Sequence, residues 1–240
     1  MERYKSSDPH SYILGISLTI EAIKNVPSYI EQVYLSSRAI RNSQYEKLQE
    51  LCRKNDIEVI EDDRVINTLS VKENCYGIGV FRKFKHDLKS DAHIILYAFN
   101  DPGELGTIMR SAVSFDFRDI VLVNSDIDYF DPRVIRASMG SIFHLNIREY
   151  STLDEYLDDY KYNIYPFISR GSRELKTLKL KKPYSIVIPQ DYYGLDEIYE
   201  DGYYLGHKGD GEISLSSLSS IVLNYAYGQN AAGRNSAGKD

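Results

Sequence analysis

The pattern of apolar and polar positions is most regular between residues 92 and 123. An apolar run, AHIILYAF from Ala92 to Phe99, has the length of a strand that is buried on both faces. An Asn-Asp-Pro-Gly turn follows, and apolar residues then recur at helical spacing, which predicts a helix from Glu104 to Phe115. The next apolar run, Asp119 to Val123, predicts a second buried strand. These patterns together predict a strand–turn–helix–strand unit, in which ligands bind at the carboxyl ends of the strands.

Strand and helix patterns alternate on both sides of this unit. Before it we predict strands at 32–35, 57–60 and 76–81, and helices around Leu18 to Ile23, at 45–54 and from Asn67 onward. After it we predict helices at 132–139, 153–160 and 213–227, and strands at 143–147, 163–168 and 184–188. The alternation predicts an α/β protein with a mostly parallel sheet in its second part. Residues 1–10 and 229–240 lack such patterns and are predicted to be flexible ends.

Charge limits the ways in which the chain can bind nucleic acid. The formal net charge is −6. The first 92 residues carry 14 basic and 14 acidic side chains, so the negative charge belongs to the remainder. A nucleic-acid-binding surface is normally basic, so RNA binding would require a local patch. The dense basic run from Arg82 to Lys89 is one candidate, and a solvated linker between domains is the alternative interpretation.

Several function classes are disfavoured by the sequence. No apolar run is long enough to span a membrane and the N-terminus lacks a signal-peptide core, which predicts a cytoplasmic protein without a membrane partner. Two cysteines, Cys52 and Cys75, and five scattered histidines have no metal-binding spacing, so no metal is predicted. We find no dinucleotide-binding glycine motif after a strand, no Walker loop and no nucleophile elbow.

Two linked motifs resemble those of the SpoU, or TrmH-like, branch of the SPOUT RNA methyltransferases. The run DPGELGTIMRSA, from Asp101 to Ala112, resembles the family's first motif, D-P-x-N-x-G-x-x-x-R, and RASMG, from Arg136 to Gly140, resembles its R-A-S-x-G segment. The order of elements in residues 1–84 resembles the L30e-like substrate-binding domain of many members. The resemblance implies an N-terminal L30e-like α/β domain at 1–84, a basic linker at 85–92, and a SPOUT domain at 93–228. The SPOUT domain is an α/β-knot fold with a mostly parallel sheet and a deep trefoil knot, and a flexible tail at 229–240 would follow.

The resemblance places the functional residues in three loops. In the first, Arg110 matches the family's Arg, which acts on the ribose 2′-hydroxyl, and Glu104 stands where the family has Asn. In the second, normally G-x-E-x-x-G, Pro189, Asp191 and Gly194 stand at the positions of Gly, Glu and Gly. From the residues alone, Arg110 could instead form a surface salt bridge, and the second loop could be a plain turn.

The third loop normally ends in S-L-N, and here it reads Ser214-Leu215-Ser216. Leu205 matches the family's apolar residue beside the adenine. From the residues alone, the serines are a good helix N-cap. The resemblance implies catalytic roles for Arg110, Glu104, Asp191, Ser214 and Ser216, and contacts with S-adenosylmethionine for Pro189, Asp191, Gly194, Leu205 and Leu215.

The predicted function is therefore transfer of a methyl group from S-adenosylmethionine to a ribose 2′-hydroxyl of rRNA or tRNA, by a homodimer that requires no metal. The family's Asn, Gly, Glu and Asn are replaced at 104, 189, 191 and 216. These four departures support an alternative, a non-catalytic RNA- or ribosome-binding protein that keeps the SPOUT fold and has lost methyl transfer. A small-molecule-binding protein unrelated to RNA would require both motif matches to be accidental.

Overall fold

The structure is a computed structural model that describes residues 4–70, 74–168, 171–190, 195–206 and 213–236, the side chains of 232–236 excepted. The chain divides into two compact units. The first comprises Met1–Phe84 and Asp128–His144, and the second comprises Lys85–Ile127 and Leu145–Asp240. The segment Asp128–His144 thus packs with the N-terminal residues, whereas the sequence motifs predicted it as part of the second domain.

The first unit is built around a mixed four-stranded sheet with the strand order β1–β4–β2–β3. Strand β4 is antiparallel to both of its neighbours, and β2 and β3 are parallel. Its elements are β1 (His10–Leu14), α1 (Ile16–Asn25), β2 (Ile30–Leu35), α2 (Ser43–Lys54), β3 (Glu58–Glu61), α3 (Asp63–Leu69), β4 (Gly77–Arg82) and, from the later segment, α5 (Pro132–Ala137). The predicted strands at 32–35, 57–60 and 76–81 are confirmed as β2, β3 and β4 with shifts of one or two residues at their ends.

In the first unit one strand was not predicted, and the predicted start of one helix is wrong. Strand β1 was not predicted, although alternate residues of HSYIL, Ser11 and Ile13, are fully buried. Its pairing with β4 depends on residues almost 70 positions away in the chain, and so no local signal marks it. The helix predicted from Asn67 is α3, which begins four residues earlier because the Asp62 side chain caps it by accepting from the backbone N–H groups of Arg64 and Val65.

Part of the basic run at 82–89 is structural. Phe84 is buried and packs against Phe81 and Phe130 with ring centroids 6.3 and 4.9 Å apart. The Lys83 ammonium forms a 2.7 Å ion pair with Asp128. These two side chains hold the Asp128–His144 segment in the first unit, so neither is free to bind RNA.

The second unit contains a five-stranded, fully parallel sheet with the order β7–β6–β5–β10–β8. A two-stranded parallel ladder joins β9 to β11. The elements are β5 (Ala92–Tyr97), α4 (Pro102–Ser114), β6 (Asp119–Val123), β7 (Asn146–Tyr150), α6 (Leu153–Asp159), β8 (Asn163–Pro166), β9 (Arg173–Glu174), β10 (Tyr184–Pro189), α7 (Leu195–Ile198), β11 (Tyr203–Tyr204) and α8 (Leu215–Ser236). The predicted strand–turn–helix–strand unit is confirmed as β5, α4 and β6, and the central strands β5, β6 and β10 are almost wholly buried.

Two boundaries in the second half of the chain differ from the predictions. Residues Ser141–His144 form a 3-10 helix, so β7 begins at Asn146 and the predicted strand start at 143 is wrong. Helix α8 continues to Ser236, where the sequence predicted a flexible tail from residue 229. Near residue 229 the helix is anchored by the Gln229 amide, which accepts from the Leu180 N–H at 2.9 Å and donates to the Leu178 carbonyl at 2.7 Å.

None of the helices in the described part of the chain is long and apolar enough to cross a membrane.

Candidate functional site

The predicted site loops converge on one edge of the parallel sheet. Strands β5 and β10 are neighbours in parallel register, with Tyr97 opposite Pro189, so their carboxyl ends lie side by side. The first loop continues from β5 through Asn100 and Asp101 into α4, and the second continues from β10 through Gln190. In α/β sheets the crevice beyond the carboxyl ends of adjacent strands is where ligands bind.

The first loop is stabilised by a capped helix start. The Asp101 carboxylate accepts a 2.8 Å hydrogen bond from the Glu104 N–H, and Pro102 occupies the first turn, where no backbone donor is needed. This capping fixes the direction in which α4 leaves the sheet.

The Gln190 side chain joins the second loop to the first. Its Oε1 atom accepts from the Asn100 N–H at 2.6 Å and, at a longer 3.4 Å, from the Asp101 N–H. Its Nε2 group donates to Asn100 Oδ1. The Gln190 backbone N–H continues the sheet ladder by donating to the Tyr97 carbonyl at 2.9 Å. Gln190 was not among the predicted site residues, and its position between Pro189 and Asp191 was the available signal.

Glu104 joins the first loop to the third. Its Oε2 atom accepts a 2.8 Å hydrogen bond from the Ser216 N–H, in the first turn of the 22-residue helix α8. A carboxylate at this position satisfies one of the free donors of the helix start and interacts favourably with the helix dipole. The geometry therefore gives Glu104 and Ser216, two of the predicted catalytic residues, a mutual contact that connects two loops.

Ser214 is the N-cap of α8, as its residue type predicts. The Ser217 N–H donates to Ser214 Oγ at 3.3 Å, and the Ser214 hydroxyl donates to Ser217 Oγ at 2.8 Å. Leu215 follows as the first helical residue and is only partly buried. The start of α8 therefore presents hydroxyl groups beside an incompletely covered apolar side chain.

Helices α4 and α8 run side by side in the same direction. Glu104 contacts Ser216, the Ser111 and Ser220 hydroxyls lie 2.7 Å apart, and the Phe115 and Tyr227 rings lie 6.3 Å apart. Because the residue numbers of the contacting pairs increase in the same order along both helices, the two helices are parallel and their first residues lie at the same end.

Arg110 lies on the exposed face of α4, together with Gly103, Thr107 and Ser114. Within the described residues no ion pair or hydrogen bond engages its guanidinium, so the surface salt bridge that sequence analysis left open is not found there. It is eight residues beyond the first helical residue, about 12 Å along the axis at 1.5 Å per residue. No described contact connects it to the three loops.

Of the remaining predicted cofactor-binding residues, the structure describes Pro189 and Leu205. Pro189 is buried at the end of β10. Leu205 is partly buried directly after β11, and at the next residue, Gly206, a side-chain Cβ would lie 2.6 Å from the Glu174 carboxylate, so a larger residue there would displace that side chain. Asp191 and Gly194 lie outside the described residues. Groups of three or more potential metal ligands are absent from the part of the chain that the structure describes.

Comparison with known proteins identifies the same region. The model of the SpoU rRNA Methylase family matches residues 91–200. Human mitochondrial rRNA methyltransferase 3 is 33% identical over 93 residues, which cover 33% of this chain and 22% of that protein. The Bacillus subtilis 23S rRNA (guanosine(2553)-2′-O)-methyltransferase RlmP is 24% identical over 139 residues, which cover 55% of this chain and 56% of RlmP. The matches thus span between about a fifth and just over half of the length of these relatives.

The fold has known counterparts among solved structures. The SpoU methyltransferase AviRb from Streptomyces viridochromogenes, solved in complex with AdoMet, superposes with a TM-score of 0.80 at 15% identity, covering 93% of this chain and 91% of AviRb. At this identity the similarity shows a shared fold. The family match, the curated relatives and the fold agree, and residues 91–200 of this chain match the SpoU rRNA methylase family.

Proposed function

We propose that the protein transfers a methyl group from S-adenosylmethionine to a ribose 2′-hydroxyl of rRNA or tRNA. The observation that carries the proposal is the hydrogen bonding of the first predicted loop to Gln190 at the start of the second and, through Glu104, to Ser216 at the end of the third. The family match and the names of the relatives, among them a 2′-O-methyltransferase and an AdoMet complex, support the reaction and the cofactor.

Leu205, Leu215 and Ser214 have apolar and hydroxyl groups that suit S-adenosylmethionine. Leu205 and Leu215 leave apolar surface partly uncovered, which suits an adenine ring. The Ser214 hydroxyl and the start of α8 offer donors for the polar groups of the cofactor. The cofactor supplies an activated methyl group on a positively charged sulfur. We propose that Leu205, Leu215 and Ser214 hold it, with Pro189, Asp191 and Gly194 from the second loop.

The proposed role of Arg110 is to orient the ribose hydroxyl and to stabilise the negative charge that develops on its oxygen. A guanidinium is protonated at all physiological pH values, so Arg110 acts as a cation and the hydroxyl proton leaves to another acceptor. Because Glu104 and Ser216 hydrogen-bond each other, we assign them to holding the site loops.

A loop of the first unit carries two exposed arginines. Between β2 and α2, residues 36–42 contain Arg38 and Arg41 and no acidic residue, and Ile40 between them is 68% exposed. Asp63 holds this loop by accepting from the Ser36 hydroxyl at 2.6 Å and from the Ser37 N–H at 3.1 Å. We propose that this ordered loop contacts RNA, with the two guanidinium groups at phosphates and Ile40 against a base.

The RNA-contacting role of this loop is tested by Arg41→Ala, with Lys47→Ala on the exposed face of α2 as the matched control. Each lost phosphate contact should reduce the slope of log affinity against log salt by about 0.7 to 0.9. The measurement is fluorescence anisotropy of labelled rRNA fragments at several salt concentrations. Equal slopes for the wild type and Arg41→Ala would remove the loop from the RNA surface.

The reaction is tested by incubating the protein with rRNA or tRNA and S-adenosylmethionine labelled in its methyl group, followed by alkaline hydrolysis. A 2′-O-methyl group blocks the attack that cleaves RNA, so the label should be recovered in alkali-resistant dinucleotides. Label recovered in mononucleotides would mean base methylation and would overturn the ribose assignment.

The second candidate, a non-catalytic RNA-binding protein, is favoured by Pro189, which is buried and has no N–H for a cofactor loop. Calorimetric titration with S-adenosylmethionine separates the two candidates. A dissociation constant near the micromolar range, about −8 kcal/mol, supports the enzyme. No heat and no change in melting temperature at high ligand concentration supports the non-catalytic protein.

We further propose a homodimer. Helix α8 leaves Ile221 and Tyr227 42% and 43% exposed, which suits an apolar contact with a second copy. Light scattering should give twice the chain mass of 27.6 kDa, and Ile221→Lys should shift it to the monomer. A monomeric wild type would exclude the dimer.

A further inference from the structure

Two side chains connect the three site loops into a single hydrogen-bonded arrangement. Gln190, from the end of β10, binds the Asn100–Asp101 turn through both ends of its amide. The Asp101 carboxylate then caps α4 at the Glu104 N–H, and the Glu104 carboxylate binds the Ser216 N–H of α8. The contacts span 90 and 112 residues of sequence, so they join segments that are distant in the chain. We propose that Gln190 and Glu104 are positioning residues that fix the three site loops relative to one another. The proposal rests on the proposed function where cofactor affinity is concerned.

The chemistry of each side chain matches its position. Gln190 needs one acceptor for backbone N–H groups and one donor for Asn100 Oδ1, and an amide offers both whereas a carboxylate offers no donor. Glu104 needs only an acceptor for Ser216, and its negative charge lies at the positive end of the α8 dipole. A loose loop in either place would shift groups at the helix starts, and ligand sites are sensitive to such displacements.

The replacement of the family's Asn by Glu104 creates a contact between two loops. The family resemblance puts an Asn at this position, and Glu is one methylene longer. The longer side chain reaches the backbone of α8 at 2.8 Å. The replacement at 104 is therefore compatible with an intact site, because it supplies a loop-to-loop contact.

The loop arrangement itself is tested without any ligand, by amide hydrogen exchange in the full-length protein. Glu104→Ala should raise exchange at Ser216 by about tenfold or more, because its N–H loses its acceptor, and Glu104→Gln should keep most of the protection. Gln190→Ala should raise the exchange rate at the Asn100 N–H. Gln190→Glu should keep this N–H protected, because the carboxylate still accepts from it, although the hydrogen bond to Asn100 Oδ1 is lost. Glu50→Ala, an exposed substitution on α2, is the control and should leave both sites unchanged. Wild-type exchange at Ser216 and Asn100 in the alanine variants would overturn the proposal.

The coupling is tested with a double-mutant cycle on the affinity for S-adenosylmethionine. If both residues act through the same arrangement, each alanine variant should weaken binding by about tenfold, and the double variant should weaken it by far less than the product. Fully multiplicative effects, or wild-type affinity in both variants, would overturn the positioning role. If the wild type does not bind S-adenosylmethionine, the proposed function fails, and the exchange experiment still decides whether the loops are held as described.

Discussion

The two edges of the five-stranded sheet use polar residues in opposite ways. At the amino edge, His93, Tyr156 and Ser185 are fully buried and hydrogen-bonded in a row, with His93 Nδ1 2.8 Å from the Tyr156 hydroxyl and that hydroxyl 2.6 Å from Ser185 Oγ. At the carboxyl edge, Gln190 and Glu104 are partly exposed and connect loops.

The amino edge is closed and fully satisfied. The second His93 nitrogen, Nε2, lies 3.1 Å from the Ser90 carbonyl, so it carries the proton and Nδ1 accepts from Tyr156. The neighbouring Asp119 carboxylate accepts from the Lys89 N–H at 3.1 Å and from the Asn146 amide at 2.8 Å. No buried side-chain polar atom of the described residues lacks a partner. Such a network stabilises the fold, and without room for a ligand it has no evident catalytic use.

Residue type alone does not identify a functional site in this protein. A Ser, a Tyr and a His in one hydrogen-bonded row have the chemistry of catalysis, yet here they have no solvent access. At the carboxyl edge, Gln190, Glu104 and the first residues of α8 are partly or fully exposed to solvent. We therefore expect changes at the amino edge to alter stability and changes at the carboxyl edge to alter function.

The largest expected effect is on stability, at Tyr156. This side chain is fully buried in the core cluster around Ile95 and Val187. Tyr156→Ala should reduce the free energy of unfolding by about 3–5 kcal/mol, since it leaves a cavity and two unpaired polar groups. Tyr156→Phe keeps the ring and should cost about 1–3 kcal/mol. Urea unfolding measures both, and equal losses for the two variants would mean that packing contributes little.

The next effect is on activity, at Arg110. Loss of a group that stabilises developing charge typically lowers kcat by about 10²–10³. Arg110→Ala should do so with an unchanged melting temperature, because the side chain is exposed and has no described partner. Thr107→Ala, one turn earlier on the same exposed face, is the matched control for steady-state methylation assays. Full activity in Arg110→Ala would remove Arg110 from the reaction.

The smallest effect is a pH dependence at the amino edge. Burial holds the pKa of His93 below its usual value of 6.5, and the Asp119 charge opposes this shift. Below about pH 6.5 the unfolded chain therefore binds a proton that the folded chain resists. The free energy of unfolding should fall as the pH drops from 6.5 towards the lowered pKa, by at most about 1.4 kcal/mol per pH unit. Above pH 7, where His93 is neutral in both states, this loss should be absent.

Urea midpoints between pH 7.5 and pH 5 measure this dependence. His93→Gln should flatten it, because the buried imidazole is then absent. A wild-type stability that stays constant to pH 5 would contradict the neutral, buried assignment of His93.

Local signals in the sequence determined much of the fold. The apolar runs that became β5, β6 and β10 are buried on both faces, which forces an uninterrupted apolar pattern. Ser214 marked the start of α8, because capping depends on residues within one turn. The helix predicted from Glu104 is α4, which begins two residues earlier, at Pro102, with Asp101 as its N-cap. Motif spacing indicated the family, and with it the candidate positions of Arg110 and the three loops.

The contacts between these elements depend on the tertiary structure. The contacts of Gln190 with Asn100 and of Glu104 with Ser216 join residues 90 and 112 positions apart, and the pairing of β1 with β4 is likewise distant. A hydrogen bond between such segments depends on sheet order and helix direction, which no local periodicity encodes. The sequence therefore determined the buried central strands and the capped start of α8, and the packing of the sheet and its helices decided which residues form a site.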